Sequence, residues 1–123
     1  MSSNLFVTDC GVTTSLGRGK GAVAEALFAG SDAGIAKRED LVPGRAIEVG
    51  AVRESLPPLP SALSLFDSRN NRLMQAALTE IAASIEDAKS RHGRDRIAVI
   101  LGTSTSGIAE GENALKAYRR DGA

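Results

Sequence analysis

Arg96-Ile97-Ala98-Val99-Ile100-Leu101 runs straight into Gly102-Thr103-Ser104-Thr105-Ser106-Gly107, and this junction limits what the chain can fold into more than any other stretch. The unbroken apolar run Ile97 to Leu101 suits a strand covered on both faces, since a half-exposed strand would alternate. The small residues behind it set compact hydroxyls and bare amides at the carboxyl end of a strand, where open α/β sheets receive ligands. No acid, base or thiol stands in that loop. It reads as a binding wall without a reactive group.

The rest of the chain supplies elements that could cover such a strand. Leu5-Phe6-Val7-Thr8 predicts an inner strand leading through Gly11 into the turn-rich Thr13 to Gly17. Ala22, Val23, Ala26 and Leu27 recur at three- and four-residue steps, which predicts a helix over about 19–29 with Gly30 as its left-handed stop. Ser31 to Ile35 turns, Pro43-Gly44 reverses the chain, and Ala46 to Val52 reads as a peripheral strand. Leu56 to Ser61 holds three of the four prolines and is an extended connector. A long helix is expected from about Ser68 to Arg91, with Leu73, Ala77, Ile81, Ile85 and Ala88 as its inner stripe. Asp67 or Ser68 would cap it and His92-Gly93 would end it. A final helix over about 108–120 carries Ala114, Leu115 and Tyr118 on one side, with Gly122 near its end. The order β-α-β-α-β-α points to a single layered α/β domain with at least one parallel strand pair.

Composition narrows the chemistry. Fifteen basic residues balance fifteen acidic ones, so polyanion binding through overall charge is not favoured. With three Phe, one Tyr and no Trp, there is no aromatic platform for single-stranded nucleic acid. One Cys and one His make neither an internal disulfide nor a metal cluster, so no metal site is expected. No apolar stretch approaches the ~20 residues of a membrane span, and Met1-Ser2-Ser3-Asn4 does not open a secretory signal. A cytoplasmic location is the expectation.

Two glycine patterns invite a phosphate reading. Gly17-Arg18-Gly19-Lys20-Gly21 lacks the spacing of a P-loop, since Thr14 stands where the first glycine belongs and Gly21 follows Lys20. Gly17, Gly19 and Ala22 do fit the dinucleotide fingerprint, with Glu39 or Asp40 about 20 residues on. Two expectations weigh against it: the strand of residues 5–8 ends well before Gly17, and the acidic pair lies in a polar stretch with no strand leading into it. Cys10, at the end of the first strand without a catalytic His, reads as a packing residue. His92 sits among Arg91, Arg94 and Arg96, and favourable charge at a helix C-terminus accounts for it.

Three features in order resemble the amino-terminal part of the β-ketoacyl-acyl-carrier-protein synthases. They are Gly11-Val12-Thr13-Thr14-Ser15-Leu16-Gly17, the helix end and turn from Leu27 to Ile35, and the strand and small-residue loop of Ile97 to Gly107. Ser68-Arg69-Asn70-Asn71-Arg72-Leu73-Met74 is similar too. The turn at Ser31 to Ile35 is slightly longer than in the family, and the loop at 103–106 carries fewer glycines. The resemblance implies a layered thiolase-like α/β fold, with residues 1–123 as an incomplete amino-terminal lobe.

What the resemblance implies about function is specific. Condensing enzymes of this family elongate acyl chains, using a cysteine and two histidines for decarboxylative Claisen condensation of an acyl thioester with a malonyl group on carrier protein. Those residues are expected beyond residue 123, so no catalytic residue is assigned and this piece would be inactive by itself. Ser104, Thr105 and Ser106 would line the acyl pocket, with Thr105 foremost, although an ordinary strand-to-helix turn explains them as well. Arg69, Arg72 and Arg119 would receive the acidic acyl carrier protein and its phosphopantetheine-linked acyl group. Arginines in the first turn of a helix oppose its dipole, which hints at an acidic contact, while ordinary exposed charge is the plainer account. The full-length protein would be a cytoplasmic homodimer without metal or organic cofactor. Two alternatives stand beside this reading: a non-catalytic partner resembling a chain length factor, and a small carrier-binding module.

Overall fold

Short runs of β-prone residues separated by glycine and proline fold locally before anything distant can hold them. The computed structural model of the chain describes residues 4–103 and 107–122. Thr13–Thr14 (β1) and Gly17–Arg18 (β2) form a tight antiparallel hairpin. The Thr14 hydroxyl accepts the Leu16 amide (3.1 Å), so the turn is stitched by its own side chain. Helix α1 follows, Lys20–Phe28, and ends at Gly30 in the left-handed conformation (φ 64°), as its sequence predicts.

Ile35–Val42 (β3) and Arg45–Gly50 (β4) make a second antiparallel hairpin through Pro43-Gly44. Proline presets φ for the first turn position, and Gly44 takes the positive φ (71°) that the second requires. β3 escapes a reading based on burial because Lys37, Arg38, Glu39 and Asp40 lie in a ribbon open to solvent. The antiparallel backbone ladder holds it instead, with Lys37 in register with Glu48 and Arg38 with Ile47, while Lys37 and Arg38 pair along their own strand with Glu39 and Asp40. Its base rests on the first hairpin at Gly34, where a Cβ would meet the Ser15 carbonyl oxygen at 2.5 Å.

The expected long helix exists in two pieces, α2 (Arg69–Glu80) and α3 (Ala82–His92), joined at Ile81 (φ −110°, ψ 13°). Just before the joint, the Thr79 hydroxyl donates back to the Gln75 carbonyl (2.8 Å), a competing bond of the kind that bends helices. Leu73, Ala77, Ile81, Ile85 and Ala88 are all half-buried, so the inner stripe survives the bend. α2 presses on the β1 segment so closely that a Cβ on Gly11 would lie 2.0 Å from the Ala77 carbonyl oxygen. Ala76, fully buried, sits at this contact, and Leu56 is the other buried hydrophobic residue among those described. The last helix, α4 (Ile108–Asp121), starts and ends on left-handed glycines, Gly107 and Gly122.

Two expectations fail here. Residues 5–8 and 97–101 form no strand ladder, and neither sheet among the described residues has a parallel pair. One residue of each segment reaches α3, where Thr8 and Ile97 line a cavity with Ile81, Ile85 and Ala88. A ladder needs a neighbouring strand along at least one edge, and none of the described residues provides one. Phe6, Val7, Val99 and Ile100 are consequently at least 80% exposed. The accessible surface is 10165 Å2, against about 6,300 Å2 for a folded monomer of this mass.

Candidate functional site

Pro60 to Ser68 sets up the start of α2. The extended connector leads into a 3-10 segment, Ser61–Phe66, and Ser68 then caps α2 by accepting the Asn71 amide (3.2 Å). Asn71 also donates its side-chain amide to the Phe66 carbonyl (2.7 Å). Ser68 is therefore the cap, and Asp67 has a different task. Its carboxylate takes both the Nε and an Nη of Arg72 at 2.6 Å, a forked, charge-assisted pair. The Arg72 guanidinium beside it holds the Asp67 carboxyl below its ordinary range. The sequence raises the question of what acid meets a basic first turn, and for Arg72 the answer lies within the chain.

Arg69 is used otherwise. One Nη donates to the Val52 carbonyl (2.5 Å), and among the described residues no carboxylate lies within ion-pair distance. The side chain projects between two depressions. One, about 340 Å3, is lined by Glu54, Ser55, Leu56, Asp67, Arg69 and Arg72. The other, about 430 Å3, lies between the β3–β4 hairpin and α2. Arg69 and Arg72 thus share a cavity, and Arg119 lines neither of the two. It is exposed in the last turn of α4, where a cation suits the helix dipole. Ser104, Thr105 and Ser106 lie outside the described residues.

Asp67 and Glu54 are the members of this site that sequence reasoning missed as such. Asp67 precedes the helix, so its five-residue separation from Arg72 matches no helical pair spacing. Glu54 reaches the site only because the chain folds back beneath Arg69.

The cations of the glycine-rich loop are already matched to carboxylates. Arg18 pairs with Glu80 (3.2 Å) and Lys20 with Asp9, which also accepts the Ser84 hydroxyl. Glu39 and Asp40 do lie in a strand, contrary to the expectation above, but β3 pairs antiparallel and they face Lys37 and Arg38. The parallel βαβ unit of a dinucleotide fingerprint is absent from the described residues. Cys10 is exposed, its amide donating to Asp9 (2.9 Å), and His92 closes α3. No group of three or more metal-ligating side chains occurs among the described residues, and no helix there is long and apolar enough to cross a membrane.

The chain is similar to a chain in the structure of the ketosynthase ApeO in complex with its chain length factor ApeC from Xenorhabdus doucetiae. The TM-score is 0.87 and the identity 37%, over 100% of this chain and 33% of that one. The chain therefore spans about a third of the length of the protein it matches and has an α/β thiolase-like, ketosynthase-type fold. No family model matches it, and no curated protein does.

Proposed function

We propose that this chain is the amino-terminal part of a subunit in a carrier-protein-dependent condensing assembly, and that the subunit is of the chain-length-factor kind. The observation that carries the reading is the match of the whole of this chain, at 37% identity, to a third of a chain from a complex of a ketosynthase with its chain length factor. In this reading residues 1–123 are a lobe of scaffold. Arg69, with Arg72 and Arg119, receives an acidic acyl carrier protein, and Ser104, Thr105 and Ser106 line the acyl pocket. The excess accessible surface supports a lobe that packs against further protein, because standard interfaces bury only about 1,200–2,000 Å2.

The second reading is an elongating synthase, which the same relative supports because a ketosynthase is half of that complex. There the subunit forms a homodimer and does the condensation itself. Loss of carbon dioxide from the malonyl thioester leaves a carbanion. It attacks the acyl thioester carbonyl and expels the cysteine thiolate, so the acyl group leaves its cysteine and a 3-oxoacyl thioester remains on the carrier.

One assay separates the readings. The full-length gene product is given radiolabelled malonyl-carrier and an acyl donor, with and without a separately purified ketosynthase. Product formed only when the ketosynthase is added supports the chain-length-factor reading. Product formed by the subunit alone supports the synthase. No product under either condition, together with no carrier binding, overturns both.

A further inference from the structure

The last helix, α4, carries an apolar stripe that the described residues leave open. Ile108, Gly111, Leu115 and Tyr118 follow one another at steps of three, four and three residues, which sets them along one side of the helix. Ile108 is 54% exposed, Leu115 59% and Tyr118 61%, and Ala117 alone in the helix is half-buried. A Cβ on Gly111 would meet open space. Charge along α4 is sorted, with Glu110 and Glu112 in its first half and Lys116, Arg119 and Arg120 in its second. Arg120 is held by Asp121, whereas Glu112 and Arg119 belong to no ion pair among the described residues.

We infer that this stripe seats a second copy of the same chain, the two α4 helices packing antiparallel about a two-fold axis. With Ile108 and Leu115 at a and Gly111 and Tyr118 at d of a heptad, an antiparallel pair sets Ile108 against Tyr118 of the second copy and Gly111 against Leu115. A large side chain thus faces a bare glycine, and Ala114 meets its own counterpart near the axis, so the helices can come close. Glu112 and Arg119 are then the two e positions. The antiparallel register brings Glu112 beside Arg119 of the second copy twice over, on either side of the axis. A parallel pair joins no such opposite charges: its flanking contacts run from g to the following e, Gly107 with Glu112 and Ala114 with Arg119. A stripe with its acid toward one end and its base toward the other is complementary to itself only when reversed, so charge selects both the occupant and its direction. The pairing goes beyond carrier docking and uses neither Arg69 nor Arg72, while Arg119 meets a carboxylate of its own copy in place of one on a carrier.

The test is sedimentation velocity of the 123-residue chain over a concentration series, with far-UV circular dichroism as the folding control. All chains carry Val99→Lys with Ile100→Lys, which removes the other exposed apolar run. Glu112→Arg alone sets two arginines together and Arg119→Glu alone sets two glutamates together, so each should weaken self-association about tenfold or more. Mixed in equal amounts, these two variants match each other at both ion pairs, and a dimer holding one of each should form with the affinity of the background chain. The doubly substituted chain, Glu112→Arg with Arg119→Glu, should pair with itself again, and Leu115→Asp should abolish pairing. A background chain that stays monomeric, single variants that associate as it does, or a mixture that fails to recover would each overturn the pairing and leave the carrier-dependent reading standing.

Discussion

Arg72 lies on Asp67 with two nitrogen–oxygen distances of 2.6 Å, while Arg69, three positions earlier in the same helix, donates to the Val52 carbonyl and has no carboxylate within ion-pair distance among the described residues. Two arginines that look alike in the sequence therefore have different work. Arg72 fixes the entry of α2, and Arg69 is available to a partner. Because Arg72 depresses the Asp67 carboxyl, their contribution to stability is fully present above the ordinary aspartate value of about 3.9 and fades as the pH falls through the lower folded value. Arg72→Ala should move the Asp67 titration, followed by carboxyl NMR, up toward that ordinary value. It should also weaken carrier binding less than Arg69→Ala does. Equal losses from the two substitutions would contradict this division of roles.

Asp9 ties three parts of the chain together. It accepts from Lys20 at the start of α1, from Ser84 in α3, and from the adjacent Cys10 amide. Lys20 chiefly, then Ser84 and the Cys10 amide, lower its carboxyl to about 2. The stability it lends is complete above the ordinary aspartate range and is lost as the pH falls through about 2. Lys20→Ala should raise the Asp9 midpoint measurably. An Asp9 titration near the ordinary value in the unaltered chain would show that the knot does not form.

Gly11 and Gly21 offer a paired test of packing. A methyl group at Gly11 would run into the Ala77 carbonyl oxygen at 2.0 Å, whereas Gly21, in the first turn of α1, has open space. Gly11→Ala should destabilise by about 1–3 kcal/mol, as forced overpacking does. Gly21→Ala should stabilise by roughly 0.5–1 kcal/mol, because alanine loses less backbone entropy in a helix. Urea titrations of the two variants give the comparison, and a neutral Gly11→Ala would mean that α2 does not sit on this segment.

Val99 and Ile100 are 80% and 92% exposed in a segment without a ladder. Contiguous apolar surface of this kind drives association. Size-exclusion chromatography of the isolated chain should show concentration-dependent association, which Val99→Lys with Ile100→Lys should reduce. A monomer that stays compact across the concentration series would count against this.

Local features were legible because local physics makes them. Gly30, Pro43-Gly44 and Gly93 stop or turn the chain by backbone conformation alone, and the Leu73 to Ala88 stripe follows from helical periodicity. Ser68 was recognisable as a possible cap by its position before an apolar run. β3 was hidden because a solvent-open hairpin needs no apolar alternation, only a turn and a second strand in register to complete the backbone ladder. The bend at Ile81 is accompanied by the Thr79 hydroxyl bonding the Gln75 carbonyl, which no periodicity reports.

The amino-acid sequence by itself determined the helices, the reversals and the resemblance carried by Gly11 to Gly17 and Ile97 to Gly107, since each is written in neighbouring residues. Tertiary structure alone decided which charges are spent and which remain. Asp67 claims Arg72, Asp9 claims Lys20, and Arg69 is left with a carbonyl. It also decided that the apolar runs at 5–8 and 97–101 stay unpaired among the described residues. Strand pairing and charge neutralisation both require a second group brought close in space, and a linear pattern specifies the first group without naming the second.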